Sequence, residues 1–324
     1  MSKNNFRTTF DAISRRDLIK QYLKEFISPY IATLRWAKEF LFSDVTIENV
    51  LQQVETQSPF SAIFSFIDEM FPPIKSEPEY DTDEFFLEGE NDAGIILTHG
   101  FGSNPSEVRE FGELLNKKGY TVHGLRLPGH GTSPDHFSIV RFEDWYLSMK
   151  NAAKKMNKRK KNTILIGHSM GGTVSLLVSA FNKIDALVSV CAPIELHPPF
   201  YPLLPTVSHF VAEWPRTPSS LKRIRAAKVK SYHIVPLNMV VELFALMEVT
   251  RKYLDKINVP ALVVAARKDK VVPFENAERI FSTIRSEKKE FWVAENSTHQ
   301  VFIDKLDVSA LVSKVDSFLR KNVF

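Results

Sequence analysis

The sequence NTILIGHSMGGTVSLLV, residues 162–178, most constrains how this chain can fold. Residues 163–166 are apolar or β-branched and predict a buried strand, and the apolar run after the glycines predicts a helix. The turn between them has glycine two residues before and two residues after Ser169, which is the nucleophile-elbow pattern. Such a turn holds the serine in a strained backbone conformation that exposes its hydroxyl, and side chains at the flanking positions would collide there.

Strands and helices alternate from about residue 83 to the end of the chain. This rhythm predicts an α/β fold in which a mostly parallel central sheet is covered by helices on both faces. Catalytic groups in such folds gather at the carboxyl ends of the strands. The predicted strands are residues 85–87, 93–98, 120–125, 163–166, 186–190, 259–265 and 290–293, and the predicted helices outside the elbow are residues 107–118, 140–156, 274–284 and 305–320.

Two regions depart from this alternation. Residues 1–82 have apolar positions at helical spacing and predict a helical N-terminal extension with a linker, so that the main domain spans residues 83–324. Residues 193–255 contain no clear strand, although a helix is predicted over residues 238–254. An insertion of this length between core strands usually covers an active site, and its prolines and aromatic residues suit an apolar cap or lid.

The aromatic stripe around Trp36 and Phe40 belongs to the predicted extension. Such stripes are most often packing surfaces, and peripheral contact with a membrane is the alternative. The basic cluster KKMNKRKK, residues 154–161, is expected to be a solvated helix end whose charges complement the helix dipole. Contact with anionic lipid or nucleic acid is the alternative for this cluster, and no nucleic-acid partner is predicted.

The single cysteine, Cys191, excludes an intramolecular disulfide and a multi-cysteine metal site. It is also compatible with a reducing compartment. The first twenty residues contain charged side chains throughout, so they do not form the apolar core of a signal peptide. Because no stretch reaches the roughly 18 apolar residues of a membrane-spanning helix, a soluble cytoplasmic protein is expected.

A serine nucleophile needs a histidine base, and the base needs a carboxylate that fixes its tautomer. Three of the four histidines after Ser169 lie in the insertion, whereas His299 follows the last predicted strand. Asp269 lies just beyond the strand at residues 259–265, which gives the order serine, acid, histidine expected for an elbow. Glu195, after the preceding strand, is the alternative acid.

Acyl transfer also requires hydrogen-bond donors for the developing oxyanion. The backbone N–H of Met170, directly after the serine, is one candidate donor. The other is the backbone N–H of Phe101, in the glycine-rich loop of residues 99–102 after the first core strand. The alternative for these glycines is an ordinary loop turn.

With these motifs the sequence resembles the α/β-hydrolase superfamily, and within it bacterial carboxylesterases and monoacylglycerol lipases. The matching pieces cover about residues 84–324 in the order of the family: GIILTHGFGSNPSEVREFGELLNKKGYTV, LPGHGTSP, FEDWY, ILIGHSMGGTVSL, VPALVVAARKDKVVP and NSTHQVF. The resemblance implies a triad of Ser169, Asp269 and His299, an oxyanion hole at Phe101 and Met170, and a cap at residues 193–255. The implied reaction is hydrolysis of a small neutral acyl ester such as a monoacylglycerol, through an acyl-serine intermediate and without cofactor or metal.

The chain differs from the family pattern in two places. Many relatives have a small residue and a glycine before the histidine, whereas this chain has Ser297 and Thr298. The N-terminal extension is not part of the family pattern, so its role is not implied by the resemblance. Thioesterases, acyltransferases, peptidases and perhydrolases share the constellation, and a non-catalytic ligand-binding protein of the same fold is a further alternative. His168, inside the elbow, is expected to be structural.

Overall fold

The computed structural model describes residues 83–196, 213–215 and 234–324. The predicted helices and linker of residues 1–82 lie outside the described residues, as does most of the predicted cap. Within the described part of the chain, no helix combines the length and the apolar character needed to cross a membrane.

A seven-stranded sheet forms the centre of the described structure. The strands of the chain are β1 Phe85–Leu87, β2 Ala93–Thr98, β3 Thr121–Leu125, β4 Asn162–His168, β5 Ala186–Val190, β6 Glu213–Pro215, β7 Ile234–Pro236, β8 Ala261–Ala266 and β9 Lys289–Ala294. The order in the central sheet is β1-β3-β2-β4-β5-β8-β9, and in it only β1, at one edge, runs antiparallel to its neighbour. The predicted mostly parallel sheet is therefore confirmed.

Helices connect the strands and supply most of the remaining core. The helices are α1 Arg109–Asn116, α2 Pro134–Ser138, α3 Phe142–Met156, α4 Met170–Phe181, α5 Leu237–Tyr253, α6 Glu275–Thr283, α7 Val301–Asp304 and α8 Val308–Asn322, with short 3₁₀ turns at Pro105–Glu107 and Leu254–Lys256. Ile95 and Leu97 of β2 join a buried cluster with Phe111 of α1 and Phe318 of α8. Because side chains alternate along a strand, Ile96 points to the opposite face, and all six residues of β2 are buried.

Two helices differ from the sequence prediction. The helix α2 was not predicted, although Ser133 caps it by accepting a hydrogen bond from His136 N at 3.1 Å and Pro134 begins it. The closing helix starts at Val308, not at residue 305, because Lys305 ends the short helix α7 in a left-handed conformation with φ of 60°.

The prediction that residues 193–255 contain no strand is wrong at two short strands. Strands β6 and β7 pair with each other in antiparallel orientation. Each has three residues and ends in proline, so neither is long enough to show an alternating pattern. The predicted helix is confirmed as α5, which packs against α4.

Candidate active site

The turn between β4 and α4 has the backbone geometry that the elbow pattern predicts. Ser169 lies between the two elements with φ of 52° and ψ of −122°, which is unfavourable for a residue with a side chain. The turn is anchored because Ser169 N donates a hydrogen bond to Val190 O of the neighbouring strand β5 at 2.8 Å. The strain therefore falls on the residue whose hydroxyl must project from the sheet.

The flanking glycines are required because backbone segments approach each other closely. A Cβ atom on Gly167 would lie 2.2 Å from Gly171 O, and one on Gly171 would lie 2.6 Å from His99 O. Both distances are too short for real atoms. The elbow consequently excludes any side chain at either position.

The structure brings Ser169, His299 and Asp269 together in a hydrogen-bonded line. The distance from His299 Nε2 to Ser169 Oγ is 3.0 Å, and that from His299 Nδ1 to Asp269 Oδ2 is 2.7 Å. Because a carboxylate only accepts, Nδ1 carries the hydrogen and Nε2 presents its lone pair to the serine hydroxyl. This tautomer is the one that can take the serine proton.

Asp269 is held by its own backbone. Its Oδ1 accepts hydrogen bonds from Val271 N at 2.8 Å and Val272 N at 2.9 Å, which leaves Oδ2 for His299. Burial opposes ionisation of this carboxyl, but the hydrogen bond from His299 and the backbone donors outweigh it and lower the pKa of Asp269. The carboxylate is therefore charged at neutral pH.

The alternative acid, Glu195, lies in a different set of contacts. Its carboxylate forms ion pairs with Arg279 and, at 3.5 Å, with Arg251. Glu195 thus pairs with these arginines, whereas Asp269 accepts the hydrogen bond from His299 Nδ1.

The loop that carries His299 is held by two carboxylates that the sequence reasoning missed. Ser297 Oγ donates to Asp307 Oδ2 at 2.7 Å, and Thr298 Oγ1 donates to Asp304 Oδ2 at 2.7 Å. The two residues that depart from the family pattern thus fix the loop through their hydroxyl groups. The available signal was the pair of aspartates just after the histidine.

The glycine-rich loop after β2 passes next to the nucleophile. A Cβ atom on Gly100 would lie 3.4 Å from Ser169 Cβ. The ring of the next residue, Phe101, packs against Phe137 with ring centroids 5.3 Å apart. Met170 is the first residue of α4, where N–H groups have no acceptor within the helix. Both predicted oxyanion donors therefore belong to segments beside Ser169.

His99 ties this loop to the next one. Its Nδ1 donates to Gly100 O at 2.9 Å and its Nε2 accepts from Leu127 N at 3.3 Å, a pattern that requires the neutral ring. Burial lowers the pKa of His99, in agreement with that protonation state. His99 was not predicted to have a role in the site.

A second buried histidine–carboxylate pair lies behind the elbow. His168 Nδ1 forms a short hydrogen bond with Glu107 Oε1, and His168 Nε2 donates to His299 O at 2.8 Å. Glu107 Oε1 also accepts from Gly100 N at 3.2 Å. The sequence reasoning assigned His168 a structural place but did not identify Glu107.

Cys191, Asp269 and His299 could together contact a metal ion, since their ligand atoms all lie within 4.8 Å of one another. Burial raises the pKa of the Cys191 thiol well above its usual value, so the sulfur stays protonated at neutral pH. Asp269 and His299 already satisfy each other. The arrangement is thus better suited to proton transfer than to metal binding.

Comparison with known proteins gives a family match and several curated relatives. The family described as "Serine aminopeptidase, S33" matches residues 89–306. The thermostable monoacylglycerol lipase of Bacillus sp. strain H-257 is 31% identical over 71% of this chain and 91% of that protein. The carboxylesterase of Bacillus subtilis strain 168 is 27% identical over 69% of this chain and 94% of that protein.

Solved structures show the same fold. A structure from work on the metagenome-derived lipolytic enzymes LipS and LipT has a TM-score of 0.68 and 26% identity, covering 74% of this chain and 98% of that one. The monoacylglycerol lipase of Paleococcus ferrophilus has a TM-score of 0.61 and 19% identity, covering 74% of this chain and 100% of that one. The resemblance to hydrolases of the carboxylesterase and monoacylglycerol lipase type is confirmed.

Proposed function

This chain belongs to the serine aminopeptidase S33 family of α/β hydrolases, and we propose that Ser169, His299 and Asp269 are the catalytic triad with which it hydrolyses carboxylic esters. The ester-hydrolase class rests on relatives that share most of the chain. The assignment of the triad is supported above all by His299, whose two nitrogens lie 3.0 Å from Ser169 Oγ and 2.7 Å from Asp269 Oδ2.

In the first half of the proposed reaction, Ser169 Oγ attacks the ester carbonyl carbon while His299 Nε2 takes the hydroxyl proton. The carbonyl oxygen becomes an oxyanion, and the backbone N–H groups of Phe101 and Met170 stabilise it. Asp269 stabilises the imidazolium that forms. The bond to the alcohol then breaks, and the alcohol leaves with the proton from His299.

In the second half, His299 takes a proton from water, whose oxygen attacks the acyl-serine carbonyl. The second tetrahedral intermediate collapses and breaks the bond to Ser169 Oγ, which recovers its proton from His299. The products are one alcohol and one carboxylic acid. The ester and one water supply every atom of the products, and the three side chains return to their starting state.

The proposed substrate is a small neutral acyl ester such as a monoacylglycerol. The carboxylates described near the triad are engaged within the protein: Glu107 with His168, Asp304 with Thr298, and Asp307 with Ser297. The proposal of an uncharged ester is supported by the relatives named monoacylglycerol lipase and carboxylesterase. A comparison of p-nitrophenyl esters with amino-acid p-nitroanilides tests this preference, and faster cleavage of the anilides would contradict it.

The direct test of the triad is labelling with a fluorophosphonate probe. Wild type should be labelled and Ser169→Ala should not. The control Ser313→Ala should be labelled like wild type, because the hydroxyl of Ser313 only donates a hydrogen bond to Ser309 O on α8. Absence of labelling in folded wild type would refute the serine mechanism. Absence of turnover across short- to long-chain esters would instead favour a ligand-binding protein.

Acyl transfer to an alcohol is the second candidate activity. A probable alcohol acetyltransferase of Saccharomyces cerevisiae is 37% identical over 34% of this chain. An alcohol that replaced water in the second half of the reaction would give a new ester. The ratio of ester to acid formed in the presence of added alcohol distinguishes the two activities.

We also propose that the insertion at residues 193–255 forms a cap over this site. Its returning part is attached to the segment after β3, since Asn238 Nδ2 donates to Ser138 O at 2.5 Å and Phe142 N donates to Glu242 Oε2 at 3.1 Å. Substitutions in a cap should change the preferred acyl-chain length more than the rate of fluorophosphonate labelling.

Residues 1–82 are proposed to be a separate helical extension that contacts membranes peripherally. The support is the aromatic stripe around Trp36 and Phe40. The test is co-sedimentation of the full chain with anionic liposomes. A Trp36→Ala/Phe40→Ala variant should sediment less, and equal sedimentation would rule out the stripe as the anchor.

A further inference from the structure

The buried pair of Glu107 and His168 contacts all three segments that build the proposed active site. His168 directly precedes Ser169 in the chain, so it is part of the elbow. Its Nε2 donates to the backbone carbonyl of His299, 2.8 Å away, and Glu107 Oε1 accepts from Gly100 N in the loop of the proposed oxyanion hole. One pair therefore connects the segments of the nucleophile, the base and the oxyanion donors.

The hydrogen bonds of His168 restrict its protonation state. Its Nδ1 faces a carboxylate oxygen and its Nε2 faces a carbonyl oxygen, and both oxygens are acceptors. A neutral imidazole has only one N–H, so it cannot donate to both. A protonated Glu107 would have to donate from Oε1, the same atom that accepts from Gly100 N, so all three contacts are satisfied best when His168 is an imidazolium and Glu107 is a carboxylate.

The energetics of the pair agree with this state. Both side chains are almost fully buried, with 1% of His168 and 6% of Glu107 exposed. Burial opposes charge on either group, but their mutual attraction and hydrogen bond outweigh it, raising the pKa of His168 and lowering that of Glu107 to about 2. Removing one partner of such a pair would leave an uncompensated charge or an unpaired polar group in the core.

The surroundings of His168 show what this charge would affect. The ring centroids of His299 and Phe302 lie 5.1 Å and 5.4 Å from that of His168, and the Phe302 ring is nearly perpendicular to it. Among the described residues, the other titratable groups that face the pair are His99, His130 and Asp269. An unbalanced charge at this place would alter both the position and the basicity of His299.

We propose that Glu107 and His168 form a buried ion pair that positions His299 and the Gly100 loop for catalysis. They are positioning residues, because neither contacts the substrate or the reacting atoms. This inference rests on the proposed function for its catalytic consequence, but the ion pair itself can be tested independently. In Glu107→Gln, His168 would become neutral. An amide oxygen that stays on Gly100 N would leave one nitrogen of His168 facing an acceptor without a hydrogen, and an NH₂ group turned to His168 would leave Gly100 N facing a donor.

The first test measures the protonation state of His168 directly in the wild-type protein. NMR of the full chain with ¹⁵N-labelled histidine should show one of the nine histidines doubly protonated at about pH 8, far above the ordinary pKa of about 6.5. This signal should disappear in Glu107→Gln. If every histidine is neutral at about pH 8, the ion pair does not exist.

The second test measures kcat, KM and the pH–rate profile for Glu107→Gln, His168→Gln and the double variant. Each single variant should lower kcat about 100-fold, the effect of a displacement of about 1 Å in the site, with KM nearly unchanged. Since the two residues act as a unit, the double variant should lose no more than the worse single variant. The acidic limb of the pH–rate profile should also shift.

The matched control is Glu84→Gln, which removes the partner of His123 in another histidine–carboxylate pair, at 2.9 Å, on the β1 edge of the sheet. It should leave kcat and the pH–rate profile unchanged. If Glu107→Gln lowers Tm but leaves kcat and the pH–rate profile unchanged, the pair only stabilises the fold and does not position His299. If wild type fails to react with fluorophosphonate, the proposed function fails, and the NMR result still decides on the pair.

Discussion

Replacing Asp269 by asparagine should nearly abolish ester hydrolysis, because the backbone dictates how the new amide must turn. Oδ1 of Asp269 accepts from the N–H groups of Val271 and Val272. An asparagine would keep its carbonyl oxygen on these two donors. Its NH₂ group would then face His299 Nδ1, and two donors cannot form a hydrogen bond with each other. His299 would therefore adopt the other tautomer, in which the hydrogen is on Nε2 and Nε2 has no lone pair for the proton of Ser169 Oγ.

The size of the effect follows from the cost of the opposite amide orientation and from the lost negative charge. Turning the oxygen towards His299 would leave the N–H groups of Val271 and Val272 facing an NH₂ group, and only Val272 is buried, so the cost is about 1–3 kcal/mol. The productive arrangement is thus disfavoured by about 1–3 kcal/mol, and the larger part of the effect comes from losing the negative charge that stabilises the imidazolium. We therefore expect kcat to fall by about 10³–10⁴, similar to the fall of about 10⁴ in serine proteases of another fold.

The assay is kcat for p-nitrophenyl butyrate, combined with thermal unfolding. Asp269→Asn should stay folded, since the asparagine retains the contacts with Val271 and Val272. The matched control is Asp185→Asn, because Asp185 Oδ2 accepts from Thr163 N at 2.7 Å at the start of β4. That variant should stay folded, because the amide oxygen of asparagine can still accept from Thr163 N, and it should keep its kcat. A fall of less than tenfold in Asp269→Asn would refute the tautomer argument.

Three further predictions concern the elbow, the base loop and acid stability. Gly167→Ala should destabilise the fold by more than about 4 kcal/mol, measured by thermal unfolding, since its Cβ would lie 2.2 Å from Gly171 O; near-wild-type stability would contradict this. Ser297→Ala removes the 2.7 Å hydrogen bond to Asp307 and should lower the free energy of unfolding in urea by about 1–3 kcal/mol. Because the loop carries His299, kcat should change more than KM, and equal changes in kcat and KM would argue against displacement of His299. The depressed pKa of Glu107 stabilises the fold fully above the usual 4.5, and this contribution disappears as the pH falls to about 2. Urea unfolding across that range should therefore show a smaller loss for Glu107→Gln than for wild type.

The central strands could be predicted because their chemistry is uniform. Strands β2 and β8 have the sequences AGIILT and ALVVAA and are buried at every position, so a continuous apolar run marks them without ambiguity. The short pair β6 and β7 has no such run. The start of α8 was misplaced because nothing in the sequence marks the left-handed conformation of Lys305.

The three residues of the proposed triad could be located because the order of the motifs along the chain reflects the order of the strands in the sheet. Ser169 follows β4, Asp269 follows β8 and His299 follows β9, and the carboxyl ends of these parallel strands share one edge. The choice between Asp269 and Glu195 needed the structure. Both follow a strand at this edge, and only side-chain contacts distinguish the hydrogen bond to His299 from ion pairs with arginines.

The parts that could not be predicted are contacts between residues far apart in the chain. Glu107 and His168 are separated by 61 residues, and each alone is compatible with an ordinary place in a helix or strand. Their pairing depends on the β2 loop folding back over β4, which no local pattern encodes.

The departure from the family pattern before His299 is also explained by side-chain contacts that no local sequence pattern shows. A glycine at that place would let the backbone turn without side-chain support. Here Ser297 and Thr298 fill the space, and their hydroxyl groups are paired with Asp307 and Asp304. The carboxylates that receive these hydrogen bonds follow on α7 and at the start of α8, so the base loop is fastened to the elements that come after it. A loop fixed by two charge-assisted hydrogen bonds can hold His299 3.0 Å from Ser169 Oγ without the conformational freedom of glycine.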